Sequence, residues 1–262
     1  NSNKKSFIAI LNHNMQTADA KVLVKGSNTL AHVQAVNMGS ATAMDTPVEV
    51  TNADAISSSI ITPATDGSTI VRFNEQAFQY WGIQFEGNSS NTFGSTDLFV
   101  GSIMLGEYFD MPHAPDLDIT RMISYNRLND LQESHGGQRF SNLKTIGRTA
   151  TSTSKSPFAN SSNQYSMFGG RIIYDMKFSF LTNEQLMPDE YNTYAVDDNF
   201  ISDVWNKTNG NHLPFIFSID KASEGDNAES EHIFGRFANN SLDMTQVAPE
   251  IYNISLTVEE EF

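Results

Sequence analysis

The chain has 262 residues, enough for one large domain or two of ordinary size, and 39% of them are hydrophobic, so it can bury a sizeable core. Its 16 Lys and Arg against 31 Asp and Glu give a net charge of −15, which repels nucleic-acid phosphates and anionic lipid headgroups. The absence of Cys excludes disulfides and thiolate metal sites, and no apolar run approaches the roughly 20 residues that cross a bilayer. We therefore expect neither nucleic acid as a partner nor membrane insertion.

The first part of the chain has the signals of a β-sandwich. Short β-branched and aromatic runs, separated by Asn- and Gly-containing turns, lie at 7–11, 20–27, 46–53, 68–76, 80–88 and 97–109. Within 80–88, Trp81, Ile83 and Phe85 alternate with small or polar residues, and Ile103 and Leu105 have the same phase in the last run. Residues 1–110 are thus predicted to form an antiparallel sandwich of jelly-roll type, with these side chains inward.

A second β-rich domain is predicted over 119–262. Two Pro in 110–118 interrupt strand pairing and mark the boundary. Residues 119–149 are interpreted as a hairpin around Gly136 and Gly137, with a helix as the alternative, and the Ser/Thr/Asn-rich segment 149–167 as an exposed loop.

The rest of this domain is predicted to combine strands with one or two short helices. Strand 170–181 places Ile172, Tyr174, Met176, Phe178 and Phe180 on one face. Thr182 and Gln185 form a capping box, and a helix near 197–209 starts at Asp197 or Asp198 and ends before Gly210. Strands follow at 213–220, 232–247 and 250–262, and in the last of them Tyr252, Ile254, Leu256 and Val258 share a face.

No catalytic signature is found in the sequence. The nucleophile elbow, the His-Glu-x-x-His motif, the phosphate loop and the dinucleotide fingerprint are all missing, so we predict that the chain is not an enzyme. The six His are scattered singly and are interpreted as ordinary turn or surface residues. Glu259, Glu260 and Glu261 are expected to blunt a strand edge or face water. No catalytic residue, metal ligand or cofactor is therefore assigned.

Three aromatic residues are candidates for contact with a ligand or a neighbouring subunit. They are Phe93, inside the polar loop 87–97, and Tyr108 with Phe109, at the end of the first domain.

Several segments together resemble a group of virion proteins of tailed bacteriophages. They are "SFIAILNHNMQTADAKVLVKGS", "YWGIQFEGN", "LFVGSIMLGEYFDMP", "SHGGQRFSNL", "HLPFIFSID" and "FGRFANNSLDMTQVAPEIYNISLTVEEEF". The resemblance implies a tail-tip or distal-tail component, in which a discoidin-like sandwich is attached to a ring-building β-domain. It carries over no active-site residues, and this chain has Trp81-Gly82 where that group has a Trp-Arg pair.

The expected function is therefore structural: a homo-oligomer, in the form of a ring, that contacts other tail proteins in the virion. The alternative is a carbohydrate-binding module that attaches the virion to a host surface glycan. A glycan-cleaving enzyme, with carboxylates that leave no motif, is the third hypothesis.

Overall fold

A computed structural model describes residues 4–57, 59–87, 93–94, 96–124, 131–141, 171–188, 199–220 and 231–261. The chain folds into two compact units, and each is described by itself. Of the residues described, unit 1 contains 4–108, 218–220 and 231–232, and unit 2 contains those in 109–217 and 233–261. The protein is mainly β, with several antiparallel sheets among these residues, which confirms the predicted fold class.

The strands before residue 109 form two sheets. They are β1 Lys4–His13, β2 Ala20–Ser27, β3 Thr42–Ala43, β4 Val48–Thr51, β5 Ala53–Ile56, β6 Ile60–Pro63, β7 Gly67–Ala77, β8 Tyr80–Gly87 and β9 Val100–Gly106. One sheet has the order β4-β7-β1-β9, and the other has the order β3-β2-β6-β5 with β8 paired to β2. Helix α1, Leu30–Gln34, and a 3-10 turn at Val36–Met38 follow β2.

One buried cluster joins the two sheets into a sandwich. Ile8, Ile10 and Phe73 enter it from the first sheet, and Val22 and Val24 enter it from the second. The predicted inward residues Trp81, Ile83, Phe85 and Leu105 pack against this cluster. Ile103 does not follow the prediction fully: it lies opposite Ile10 but is 38% exposed, because β9 ends the order of its sheet.

Close packing in this unit explains why position 82 is a glycine. A Cβ at this position would overlap the sulfur of Met38 and lie 3.2 Å from Cβ of Val33. The strand therefore has no room for a side chain next to Trp81 unless the buried side chain of Met38 moves.

The strands after residue 109 form one main sheet and a separate hairpin. They are β10 Thr120–Ser124, β11 Leu131–Glu133, β12 Arg139–Ser141, β13 Arg171–Thr182, β14 Phe215–Ser218, β15 His232–Phe237, β16 Met244–Ala248 and β17 Ile251–Glu260. The main sheet has the order β10-β13-β17-β15-β14, and β16 also pairs with β17. β11 and β12 form a hairpin around Gly136 and Gly137, as predicted, but the first part of the predicted hairpin segment 119–149 is β10, which pairs with β13 in the main sheet. The segment 149–167 lies outside the described residues.

The alternation of β13 is confirmed for four residues and wrong for the fifth. Ile172, Tyr174, Met176 and Phe178 are buried, but Phe180 is 70% exposed and Leu181 is buried in its place. The pairing with β17 shifts register between Phe178 and Leu181, and Phe180 has a φ of 62°. A β-bulge therefore reverses the two-residue period at this point.

The helical segments are short. The predicted capping box of Thr182 and Gln185 is present at the start of α2, Asn183–Leu186. The predicted α-helix near 197–209 is instead a π-helix over Ile201–Trp205, and its proposed caps Asp197 and Asp198 lie outside the described residues. Phe200 and Trp205, five residues apart, both contact the ring of Phe237, with centroids 6.3 and 5.2 Å away. A π turn brings positions i and i+5 to nearly the same face, whereas an α-helix separates them.

Candidate assembly surface

Four apolar side chains are exposed along the first strand of the unit 2 sheet and the segment before it. We call Leu117, Ile119, Met122 and Ile123 the apolar edge. Leu117 is fully exposed and Ile123 is 59% exposed. Single exposed Leu or Ile residues are common, but four within seven positions concentrate apolar side chains along one strand and its approach, with Ile123 on one face of the sheet and Met122 on the other.

Hydrogen bonds and strand pairing fix the backbone of the apolar edge to β13. Thr120 to Ser124 pair with Asp175 to Arg171 in antiparallel register. Before the strand, the Asp116 N–H donates to the carbonyl of Lys177 over 2.8 Å, and the Ser179 hydroxyl donates to the Asp116 carboxylate over 2.7 Å. The edge is therefore preorganised, and a partner would not have to order it.

Arg121 and Asp118 lie within this surface and are both exposed, so it carries charges of both signs. The guanidinium of Arg121 is 5.7 Å from the centroid of the Tyr174 ring, within cation–π range, while the residue as a whole is exposed. The ring holds the side chain of Arg121 in place without neutralising its charge.

Its position in the sheet explains why the apolar edge is uncovered. Ile123 lies opposite the buried Ile172, so both point to the same side of the sheet. In the part of the chain that the structure describes, β10 pairs with β13 alone. The outer N–H and C=O groups of such a strand can accept another strand.

The three candidate residues from the sequence lie in different surroundings. Phe93 is 46% exposed, as a contact residue must be. Tyr108 is exposed too, with its N–H bonded to the Ser6 hydroxyl over 2.8 Å and the Arg72 guanidinium 5.6 Å from its ring centroid.

Phe109 differs from these two because it is half-buried, with its ring centroid 6.3 Å from that of Phe200 in unit 2. No ring contact among the described residues joins the three candidates. Whether they bind a ligand or a subunit stays a prediction.

The prediction that the three Glu residues at the end of β17 blunt a strand edge or face water is wrong. Glu259 and Glu260 are buried: Glu259 pairs with Arg171 over 3.2 Å, and Glu260 accepts the N–H of Ile172 over 3.0 Å. Glu261 forms two 2.5 Å hydrogen bonds with the guanidinium of Arg236. These carboxylates hold the end of β17 to the start of β13 and to Arg236 near the end of β15 instead of facing water.

His13 is also buried, although the sequence indicated an ordinary turn or surface position. Its Nδ1 accepts the N–H of Met15 over 3.3 Å, so Nε2 carries the proton toward the Thr69 hydroxyl at 2.9 Å. That hydroxyl in turn donates to the carbonyl of Asn52 over 3.1 Å. Burial lowers the pKa of His13 to about 4, an effect that the Asp66 carboxylate partly opposes. The imidazole is thus neutral at pH 7 and links β1 to β7.

The described ranges contain neither a metal-binding group nor a membrane-spanning helix. Within them, no group of three or more His, Asp or Glu is placed to hold a metal ion. No helix there has the length and apolar character needed to cross a membrane.

Comparison with protein-family models, with curated proteins and with solved structures found no match to this chain. Any function of the apolar edge therefore has to be inferred from the geometry of its residues. The sequence predictions do not include this surface, because they assign 110–118 to a linker and 119–149 to a hairpin. The available signal was the close spacing of Leu117, Ile119, Met122 and Ile123 directly after Pro115.

Proposed function

We propose that this protein is a non-enzymatic structural component of a bacteriophage tail, of the distal-tail or tail-tip type, which self-assembles and contacts neighbouring tail proteins. The apolar edge carries this proposal. It combines exposed apolar side chains with a strand whose backbone is fixed by β13 and whose other side can pair. The resemblance of the sequence segments to tail proteins supplies the location.

The chemistry of the edge suits a protein partner better than a small molecule. A strand added to β10 gains backbone hydrogen bonds and places its own side chains beside Ile123 on one face of the sheet and beside Met122 on the other. Fully burying one such side chain contributes about 1.5–3 kcal/mol, so several of them give an interface of useful strength. In a symmetric assembly of identical chains, the same contact is repeated between neighbouring copies.

The first test of this proposal is the oligomeric state. Light scattering of the purified chain should show a homo-oligomer, and negative-stain images should show closed particles. Lys substitutions at Ile123 and Leu117 should shift the population to monomers, whereas Val36→Lys, at an exposed position of unit 1, should not. A monomeric wild-type chain at micromolar concentration would contradict self-assembly.

The second test is location. Antibodies against the chain should label the tails of phage particles that encode it, and labelling of the capsid alone would contradict the tail assignment. Release of reducing sugar from host polysaccharide by the purified chain would contradict its non-enzymatic nature.

A carbohydrate-binding role in attachment is the second candidate, favoured by two exposed aromatic residues. Phe93 and Phe99 lie beside the segment 14–19 of unit 1. The side chain of Asn14 accepts the N–H of Phe99 over 2.7 Å and donates to the carbonyl of Asp97 over 2.7 Å, which fixes this end of the loop. Exposed rings on a fixed backbone can stack on sugars. A glycan array should give hits that Phe93→Ala with Phe99→Ala removes, and an array without hits would eliminate this candidate.

A further inference from the structure

Unit 1 contains a cluster of buried polar side chains at the end of β1. His13, Asn52 and Thr69 are all buried there. The Asn52 side chain donates to the Thr69 hydroxyl over 3.3 Å and to the carbonyl of Thr65 over 3.0 Å, and its oxygen accepts the Thr65 N–H over 2.9 Å. Because the Thr69 hydroxyl also bonds the imidazole of His13 and the carbonyl of Asn52, the neutral ring fits into a network that is already formed.

This network has no place for a second proton on the imidazole. Nδ1 of His13 lies 3.3 Å from the backbone nitrogen of Met15, and a backbone N–H can only donate. A proton on Nδ1 would therefore turn the hydrogen bond into a contact between two donors. It would also place a positive charge in the interior of unit 1, which is costly without a paired anion. Protonation thus works against the contact between His13 and Met15.

The contact with Met15 lies at the start of a region that closes this end of unit 1. We call residues 14–20 and residues 97–99 the end segments. Within the first, the Ala20 N–H donates to the carbonyl of Met15 over 2.8 Å, and the Met15 side chain is buried in the core cluster. Asn14 joins the two segments, because its side chain bonds the backbone of the second segment twice, over 2.7 Å each time. A displacement of Met15 is therefore passed on to both.

The charges around the ring favour the neutral imidazole. β7 and β9 flank His13 and place the uncharged Gly67 and Val100 opposite it. The Asp66 carboxylate favours the imidazolium, but it already accepts the N–H and the hydroxyl of Thr17. Burial outweighs its attraction and lowers the pKa of His13 to about 4. In the described parts of β1, β7, β9, the end segments and the turns that hold Asn52 and Thr65, the charged residues are Lys4, Lys5, Asp19, Glu49, Asp66, Arg72, Glu75 and Asp97.

We propose that His13 is an acid-sensitive latch, whose protonation releases the end segments from unit 1 while its two sheets stay folded. The open form binds the proton at the ordinary histidine pKa of 6.5, and the closed form binds it only at about 4. The ratio of open to closed molecules therefore rises as the pH falls through this range, by about 20-fold from pH 7 to pH 5. Phe99, which is 52% exposed, is released with the end segments, so any contact that its ring makes is lost in acid.

Oxidation of two buried methionines tests the latch in the wild-type chain. Met15 and Met44 belong to the same core cluster and are 0% and 2% exposed, but only Met15 lies in an end segment. Dilute hydrogen peroxide converts an accessible Met to its sulfoxide, which peptide mass spectrometry counts. Oxidation of Met15 should become about 20-fold faster from pH 7 to pH 5 and should be much faster than that of Met44 at pH 5. Equal rates for Met15 and Met44 would mean that unit 1 unfolds as a whole, which would overturn the latch.

A matched variant tests whether the imidazole controls the opening. In His13→Gln, the side-chain oxygen can accept the Met15 N–H and the amide can donate to Thr69, but nothing titrates between pH 7 and pH 5. Oxidation of Met15 in this variant should therefore not depend on pH. The same pH dependence as in the wild type would show that another group opens the end segments. If His13→Gln does not fold, the wild-type comparison of Met15 with Met44 still decides.

Hydrogen exchange extends the test to the second end segment. The Phe99 N–H bonds the Asn14 side chain, so its protection, corrected for the intrinsic effect of pH on exchange, should fall by the same factor of about 20. Loss of protection at Met15 without loss at Phe99 would overturn the release of residues 97–99. These measurements do not depend on self-assembly, so their failure would leave the proposed function untouched.

Discussion

Units 1 and 2 contain strands of similar composition, but the apolar side chains of these strands are buried to different degrees. Ile10 in β1 and Ile123 in β10 are both β-branched residues in antiparallel strands. Ile10 is 0% exposed because the second sheet of the sandwich packs over it, and Ile123 is 59% exposed on a strand with one described neighbour. The number of layers and the place of a strand in its sheet therefore decide burial, and the residue type does not.

The largest expected change in stability comes from truncating Ile10 to Ala, and the same truncation at Ile123 tests the comparison between the two units. Ile10→Ala should lower the free energy of unfolding of unit 1 by about 3–4 kcal/mol, because it leaves a cavity between two sheets. Ile123→Ala should lower that of unit 2 by less than about 0.5 kcal/mol, since its side chain is mostly in water already.

Fluorescence in urea can measure the two units separately. The chain has two Trp, Trp81 in unit 1 and Trp205 in unit 2, so Trp205→Phe or Trp81→Phe leaves a single reporter. The assay requires monomeric conditions, because assembly would add its own contribution at Ile123. Equal losses for the two Ala variants would show that β10 is covered within the monomer.

The second largest effect is a loss of stability at acidic pH, which we expect in unit 1 because His13 lies in β1. Its pKa is about 4 in the folded chain against an ordinary value of 6.5, so the unfolded chain binds the proton first as the pH falls. Stability is therefore complete above about pH 6.5, is lost progressively down to about pH 4, and changes no further below it on account of this residue. The loss amounts to about 3 kcal/mol.

Urea unfolding between pH 7 and pH 4, followed through Trp81, tests this acid effect. The wild-type chain should lose about 3 kcal/mol more over this interval than His13→Gln, which has no group that titrates there. Val36→Ala offers the control, since it changes an exposed position of the same unit and neither adds nor removes a titrating group, so it should keep the wild-type profile. Parallel profiles for the wild type and His13→Gln would mean that the imidazole is hydrated in the folded chain.

The sequence predicted the parts of the fold that depend on local pattern. The alternation of Trp81, Ile83 and Phe85 identified a strand packed on one face, and the Gly136-Gly137 pair identified a hairpin. Both signals are contained within a few neighbouring residues. The mainly β fold class followed from many such signals along the chain.

Features that depend on distant residues could not be predicted. The bulge at Phe180 is held by Asn253, whose side-chain oxygen accepts the Phe180 N–H over 3.0 Å from a position 73 residues away. The buried Glu259 and Glu260 need Arg171 and the start of β13 beside them. The apolar edge was missed for the same reason, because exposure of Ile119 and Ile123 depends on which strand lies outermost.

The smallest effect concerns this bulge, where unit 2 departs from simple alternation. Phe180 has a φ of 62° and is 70% exposed, so its ring packs little while its backbone is in a region that favours Gly. Phe180→Gly should therefore raise the free energy of unfolding of unit 2 by about 0.5–1 kcal/mol. Lys177→Gly, at an exposed position of the same strand without a positive φ, should instead lower it by a similar amount.

Urea unfolding followed through Trp205 measures both variants. Equal losses in the two would mean that the exposed ring of Phe180 contributes packing that outweighs the strain, and that the bulge is maintained by side-chain contact as well as by Asn253.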